Sequence, residues 1–400
     1  MDTYTVRELT QAEAVTASGV LARAFLIDSA ADEFAAKEAP LVEHSLNLGA
    51  FAGDLQVGGA QVQVRDLCVP GGAQVPFAGL TSVAVASDHR RRGLLTRLMR
   101  AALPRSGPAV SALWASESAI YGRFGFGVAT ELTHYTVPTK IAFRPGVTAD
   151  SSVVRELPRD EAMPVIRALY ERYAEGRVGT LSRLDGNWGY HYYDTARTQA
   201  GRTPLRFAVH PEGYVAYRAQ HVWTDNGPRG RLDVHEFIAT TPQATASLWR
   251  YLLDVDLVST IQYEGDPDDP LALLLPDTRV ALRKRFHALH IRLVDVAAGL
   301  PLRQYLTPVD VVVEIDDPFC PWNAGRWHLV VDGGRMTVAS TDAAPDLELD
   351  VRDLGAAYLG GTRLSALAAA GLVREHTAGA VAALSNAMLA DREPSCREVF

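Results

Sequence analysis

Leu80-Thr-Ser-Val-Ala-Val-Ala-Ser-Asp-His-Arg-Arg-Arg-Gly-Leu-Leu-Thr-Arg-Leu-Met99 reads as a β-strand that runs through a loop of three arginines and a glycine into a helix. Thr81, Val83 and Val85 recur at the two-residue period of a strand. Leu94, Leu95, Leu98, Met99 and Ala102 fall on one helical face, which Pro104 ends. Between them stand Arg90, Arg91, Arg92 and Gly93. A glycine lets the backbone come close to a ligand. The first N–H groups of a helix are unpaired and point outward, which makes the turn a ready phosphate site, and the arginines add charge to it.

This segment resembles the acyl-coenzyme A signature of the GCN5-related N-acetyltransferases, whose loop reads Arg/Gln-x-x-Gly-x-Gly/Ala. Arg90-Arg91-Arg92-Gly93-Leu94-Leu95 follows it until Leu95, which replaces a small residue. The departure is modest, because the phosphate donors are backbone groups.

Four hundred residues exceed one hydrophobic core, so two or three domains are expected. With 48% hydrophobic and 22% charged residues the composition suits a globular protein. A net charge of −8 argues against nucleic acid as a partner and suits a cationic substrate. Cys68, Cys320 and Cys396 are far apart, without metal-ligand spacing or an even count for disulfides, so no metal and a reducing compartment are expected. Met1-Asp2-Thr3-Tyr4 opens no signal peptide, and no apolar stretch reaches the length of a membrane span. A cytoplasmic location is the resulting expectation.

The elements predicted upstream are a strand over residues 4–9, a helix after the Thr10-x-x-Glu13 capping box, and strands over 49–55 and 57–64. Downstream come a strand over 109–114, a short helix over 116–124 broken by glycines 122, 125 and 127, and a strand over 130–137. This order matches an N-acetyltransferase domain from end to end, and Arg144-Pro145-Gly146 marks a boundary. A second strand–loop–helix covers residues 233–253, with Thr241-Pro242-Gln243-Ala244 where arginines and glycine would stand, so no pyrophosphate binding is expected there. Residues 289–296 read as a strand leading into a last unit of short strands and helices, which resembles the sterol-carrier-protein-like fold. The expected fold class is α+β (mixed α/β). Residues 1–145 form a catalytic N-acetyltransferase domain, 146–288 a degenerate N-acetyltransferase-like domain, and 289–400 a sterol-carrier-like domain.

Trp114-Ala-Ser-Glu-Ser-Ala-Ile-Tyr-Gly-Arg-Phe-Gly-Phe-Gly127 is the second informative stretch. In a GCN5-related domain this helix lies beside the thioester, where a tyrosine, protonated near neutrality, can give a proton to the departing sulfur. Tyr121 is the candidate acid. Together with the arginine loop and a third domain ending in Phe400, this stretch resembles the enhanced intracellular survival (Eis) family of actinobacterial acetyltransferases over the whole chain.

That resemblance implies a site. Val83, Ala84 and Val85 offer backbone groups to the pantetheine arm of acetyl-CoA. Arg91, Arg92, Gly93, Leu94, Leu95 and Thr96 hold the pyrophosphate, and Ser116 and Glu117 complete the coenzyme site. Tyr121 is the general acid, and the terminal carboxylate of Phe400 is the general base, for which the third domain serves as scaffold. Transfer is direct, within a ternary complex. The acceptors are amines: aminoglycosides, polyamines or lysine side chains. The assembly is a homohexamer. An α-carboxyl with a pKa of about 3.5 takes a proton from an alkylammonium only if burial raises the one and lowers the other, or through a bridging water. Asp28, Asp32, Glu33 and Glu398 are candidate acids for a cationic acceptor, whereas Ser82 and Val399 depart from what the family can carry at those places. Two non-catalytic readings stand beside the enzyme: a lipid- or small-molecule-binding protein with relic acetyltransferase units, and an acetyl-CoA sensor.

Overall fold

The computed structural model describes residues 4–27, 31–150 and 152–400. They form two compact units. The first takes in the residues up to Thr130, then Val178–Tyr192 and Ala288–Phe400; the second takes in Glu131–Arg177 and Tyr193–His287.

The first unit carries a seven-stranded sheet. Tyr4–Glu8 (β1), Ser45–Ala52 (β2), Leu55–Cys68 (β3), Gln74–Val85 (β4) and Val110–Trp114 (β5) lie side by side in chain order, followed by Leu289–Leu293 and then Gly127–Val128 (β6). Neighbours from β1 to β4 are antiparallel, while β4 and β5 are parallel. The β4–β5 ladder covers only Phe77–Val110, Ala78–Ser111 and Gly79–Ala112. Beyond Gly79 the two strands part, and the backbone of residues 80–85 is left without a partner in β5. A register shift between Gly59 and Gln61 opposite, and a φ of 50° at Ser82, place a bulge at the same point. Leu80 and Ala84 are buried, whereas Thr81, Val83 and Val85 are half-exposed.

Gln11–Ala24 (α1) starts from the Thr10–Glu13 capping box read in the sequence. Ala31–Val42 (α2), a helix with Pro40 inside it, has no such signal and is not anticipated. Leu94–Ala102 (α3) buries Leu94, Leu98, Met99 and Ala102 in a core shared with β2, β3 and β4, as its periodicity predicts. Ser118–Tyr121 (α4) is a single turn continued by 3-10 structure to Phe124 and stopped by Gly125 at φ +80°.

Two strands sit elsewhere than expected. Glu131–Pro138, read as the closing strand of the first sheet, pairs with Val258–Gly265 and Leu282–His287 in the second unit's sheet. Leu289–Leu293, read as the entry to the last unit, pairs instead with β5 and β6. Tyr135 and Val137 in the one segment, and Leu289, Ile291 and Leu293 in the other, recur at the two-residue period of a strand. Alternation marks a strand and its buried face, but it does not choose a partner.

In the second unit, Gly230–Ala239 and Val258–Gly265 run parallel and are joined by the helix Pro242–Asp254, the same strand–helix–strand path as β4, α3 and β5. That helix packs Leu248, Trp249 and Leu252 against Phe237 and Tyr263. Its N-terminus is capped by the Thr241 hydroxyl, which accepts the Ala244 N–H.

The C-terminal part of the first unit is a five-stranded sheet, in the order Arg335–Ser340, Gly325–Asp332, Val309–Asp316, Leu347–Asp350, Val373–Glu375, with helices Val351–Ala357, Leu364–Ala369 and Ala380–Ala387. Val313, Leu329, Leu354 and Leu384 belong to one core with Leu67, Phe77, Val110, Ile291 and Phe400. Burying each such side chain contributes roughly 1.5–3 kcal/mol, so this shared core fastens the C-terminal segment to β3, β4 and β5.

Candidate active site

The parting of β4 from β5 opens a cavity of about 690 Å³. Val83, Ala84 and Val85 line it on the β4 side, and Arg91, Gly93, Leu94, Leu95 and Thr96 line it at the start of α3. Ser116 and Glu117 close it from the loop after β5. Gly93 caps α3 at φ +77° with no side-chain hydrogen bond to the first turn, and Arg91 is also left-handed, at φ 61°. Such a turn aims successive N–H groups outward, and Gly93 adopts it without the penalty a Cβ would bring. These residues therefore suit the pyrophosphate of a coenzyme. Arg92 is the exception among the expected cofactor residues. It does not line the cavity; its guanidinium donates to Tyr4 Oη at 2.8 Å and to the Asp88 carbonyl at 3.1 Å. Arg90, His89 and Arg123 line the cavity instead.

A second cavity of about 340 Å³ adjoins the first. Phe25, Val83, Ser116 and Tyr121 line both, so Tyr121 stands where the two meet. Its ring packs edge-on against Phe126, 6.2 Å between centroids. Burial, and then the nearby Glu117 charge, push its phenol up to about 12. The strand Leu289–Leu293 brackets this helical turn. Ser118 Oγ and His290 Nε2 lie 2.7 Å apart at its start, and Arg292 donates to the Phe124 carbonyl at 2.6 Å past its end. Arg292 is itself paired with Asp317, both side chains inaccessible to solvent.

Phe400 and Val399 line the second cavity together with Tyr121. Phe400 is 8% exposed. Its ring meets Phe77 edge-on at 6.0 Å and rests on Gly79, where a Cβ would stand 3.0 Å from the ring. Glu398, two residues earlier, is buried between Arg65 of β3 and Arg183, which donates to it at 2.5 Å. Burial alone would raise its carboxyl; the two guanidinium groups outweigh burial and hold it below the ordinary range.

The residues around the cavities separate the candidate acids. Asp28 lies outside the described residues, as does the side chain of Asp32. Glu33 is half-exposed and lines neither cavity. Glu398 faces its two arginines, so its charge is already compensated. Among the described residues, the acidic side chain on the second cavity is that of Glu38 in α2, which the sequence reading missed. It is 9% exposed, and burial raises its carboxyl to about 7 against the opposing pull of Lys37. Lys37 in turn sets its ammonium over the Tyr190 ring, 3.8 Å from the centroid.

Residues 5–129 and 179–293 each match an acetyltransferase (GNAT) domain family, and residues 296–397 match a sterol carrier protein domain family. The N-acetyltransferase Eis of Mycobacterium tuberculosis is 38% identical over 82% of this chain and 81% of its own length. The chain belongs to the Eis family of N-acetyltransferases. An uncharacterized N-acetyltransferase of Streptomyces avermitilis is 42% identical over 87% of both chains. The crystal structure of Eis1 from Mycobacterium abscessus superposes over the full length of both chains with a TM-score of 0.87 at 32% identity.

As an Eis-family protein it is an enzyme, an N-acetyltransferase, which decides among the readings the sequence left open. Its fold is the expected mixed α+β arrangement of two GNAT domains and a sterol-carrier domain, and a GNAT domain implies acetyl-CoA as the donor. Among the described residues no three His, Cys, Asp or Glu side chains gather as metal ligands would, and no helix is long and apolar enough to cross a membrane.

The groups the sequence reading missed share one trait. Glu38, Tyr190, His290, Arg292 and Arg183 come from α2, from Val178–Tyr192 and from Leu289–Leu293, none of which carries a local motif. Only sheet order and packing bring Glu38 and Tyr190 to the second cavity, His290 and Arg292 to Tyr121's helix, and Arg183 to Glu398.

Proposed function

We propose that this Eis-family enzyme acetylates an amine of a cationic acceptor, an aminoglycoside, a polyamine or a lysine side chain, by direct transfer from acetyl-CoA, with Tyr121 as general acid and the terminal carboxylate of Phe400 as general base. The observation that carries the reading is the position of Tyr121 on both cavities with Phe400 on the second. Acetyl-CoA supplies the thioester carbonyl. The backbone of residues 83–85 and the α3 N-terminus hold it. The acceptor nitrogen forms the new bond to the carbonyl carbon as the carbon–sulfur bond breaks. The Phe400 carboxylate takes the proton from the nitrogen, and the Tyr121 hydroxyl donates to the sulfur.

A phenol pushed up to about 12 stays protonated across the working range. It is a weak acid for a thiolate whose parent pKa is about 8.5, but the burial that raises the phenol also raises a thiol leaving into the same space. Glu38 and the rings of Phe25, Trp114 and Tyr190 line the acceptor side, a setting that favours ammonium groups through charge and cation–π attraction.

Thiol release from acetyl-CoA over a panel of aminoglycosides, polyamines and lysine peptides identifies the acceptor. In the same assay Tyr121→Phe is expected to lower kcat by about 10²–10⁴-fold, with acetyl-CoA binding retained. Unchanged turnover would remove Tyr121 from the mechanism.

A further inference from the structure

The last six residues are held by a segment far from them in sequence. Ser395 N–H donates to the Val178 carbonyl at 3.0 Å. Gly179, at φ +96°, lies so close that a Cβ there would stand 2.6 Å from the Ser395 carbonyl oxygen. Residues 178–182 are in turn laid along the end of β3: Gly179 N–H donates to the Cys68 carbonyl, Cys68 N–H to Thr180, and Ser182 N–H to Asp66, all at 2.8–2.9 Å. Arg65 Nε donates to the Ser182 carbonyl at 2.8 Å. Glu398 then joins the two strands of this arrangement, one carboxylate oxygen to Arg65 and the other to Arg183. Arg183 is fixed from its other side by the Trp188 ring, 4.7 Å from the guanidinium carbon. Arg65 also lies 5.8 Å from the centre of the Phe400 ring.

A buried Arg–Glu–Arg group is poor evidence of stabilisation, because removing three charges from water costs about as much as their attraction returns. What such a group does provide is a single geometry. In the placement seen here residues 395–400 satisfy both guanidinium groups, and a slip of the chain end would leave buried charges unpaired.

We infer that Glu398 is a positioning residue: clasped between Arg65 and Arg183, it registers the chain end so that Phe400 presents its carboxylate to the second cavity. This rests on the reading of Phe400 as the base. Glu398 itself takes no part in proton transfer.

The test is a double-mutant cycle on the full chain, comparing Glu398→Gln, deletion of Phe400, and both together. The readouts are kcat and the KM for acetyl-CoA by thiol release, with thermal midpoints alongside. Deleting Phe400 is expected to lower kcat by about 10²–10⁴-fold. E398Q is expected to lower kcat by about 10²-fold through misplacement, with the KM for acetyl-CoA unchanged. In the deletion background E398Q should cost nothing further, since the terminal carboxylate then belongs to Val399, one residue short of the position that Glu398 sets. If the E398Q loss multiplies with that of the deletion, the residue acts on the fold in general and the inference is overturned. If the deletion lowers kcat but E398Q does not, the inference alone fails and the base assignment stands. If the deletion leaves kcat intact, the base assignment fails and takes this inference with it. Should E398Q not fold, Arg183→Lys, which keeps the charge and removes the Nε donor to Glu398, enters the same cycle with the same criteria.

Discussion

Glu38 shows how one buried carboxyl ties stability to pH. Its folded pKa of about 7 lies above the ordinary glutamate value near 4.5, with burial as the cause and Lys37 moderating it. Between those two values the folded protein holds a proton that the unfolded chain has released. Stability therefore falls as pH rises from about 4.5 to about 7, and is level above that. Glu38→Gln removes this loss, so the variant should exceed the parent in stability at pH 8 by an amount of the order of 3 kcal/mol, with the difference closing toward pH 4.5. Melting curves across that range check it. The same substitution should raise the KM of a cationic acceptor above pH 7, where Glu38 is ionised. A variant that melts earlier than the parent at pH 8 would show that the carboxylate is paired rather than exposed to the cavity. Nothing local in Ala-Ala-Lys37-Glu38-Ala-Pro announces this role, since acid–base neighbours are common on helices.

At the scale of elements, the two strand–loop–helix units differ at one place. The Thr241 hydroxyl accepts the Ala244 N–H at 3.1 Å, whereas Gly93 leaves the first turn of α3 without a side-chain cap. The arginine loop thus leaves its first-turn N–H groups without a side-chain cap, while the second loop spends one on its own side chain. Gly93→Ala tests the importance of that backbone. A Cβ at Gly93 meets nothing within 4 Å, so the cost is the left-handed conformation itself, about 1–2 kcal/mol. The exposed loop is expected to relax in the free enzyme and to be strained again on binding. The KM for acetyl-CoA should rise roughly fivefold to thirtyfold at little change in saturated kcat. A KM unaltered by the substitution would argue that the N–H cradle is not what holds the pyrophosphate. This element was the most legible in the sequence, because strand period, glycine, arginines and helical face are all contiguous. The strands Glu131–Pro138 and Leu289–Leu293 were legible as strands only; their pairing depends on residues more than a hundred positions away.

At the scale of the molecule, the C-terminal sheet holds the chain end against β4 through a common core, with Phe400 packed on Phe77 and Gly79. Any residue joined to Phe400 converts its carboxylate into an amide, which cannot take a proton, while the ring can keep its packing on Phe77 and Gly79. A C-terminal tag should therefore lower kcat by at least about 10²-fold while the same tag at the other end does not, and the melting temperature should change little. Kinetics of the two tagged forms decide this. A fully active C-terminally tagged enzyme would refute the terminal base.

Local order in the chain was enough to announce the arginine–glycine turn, the helix that carries Tyr121, and two GNAT domains followed by a sterol-carrier domain, because periodicity, glycine conformation and helix-end chemistry act over a few residues. The second cavity is decided otherwise. Glu38, Tyr190, the His290 and Arg292 supports of Tyr121's helix, and the clasp on Glu398 arise where distant segments share one core. Hydrophobic burial and charge pairing are indifferent to sequence separation, so no short pattern encodes them.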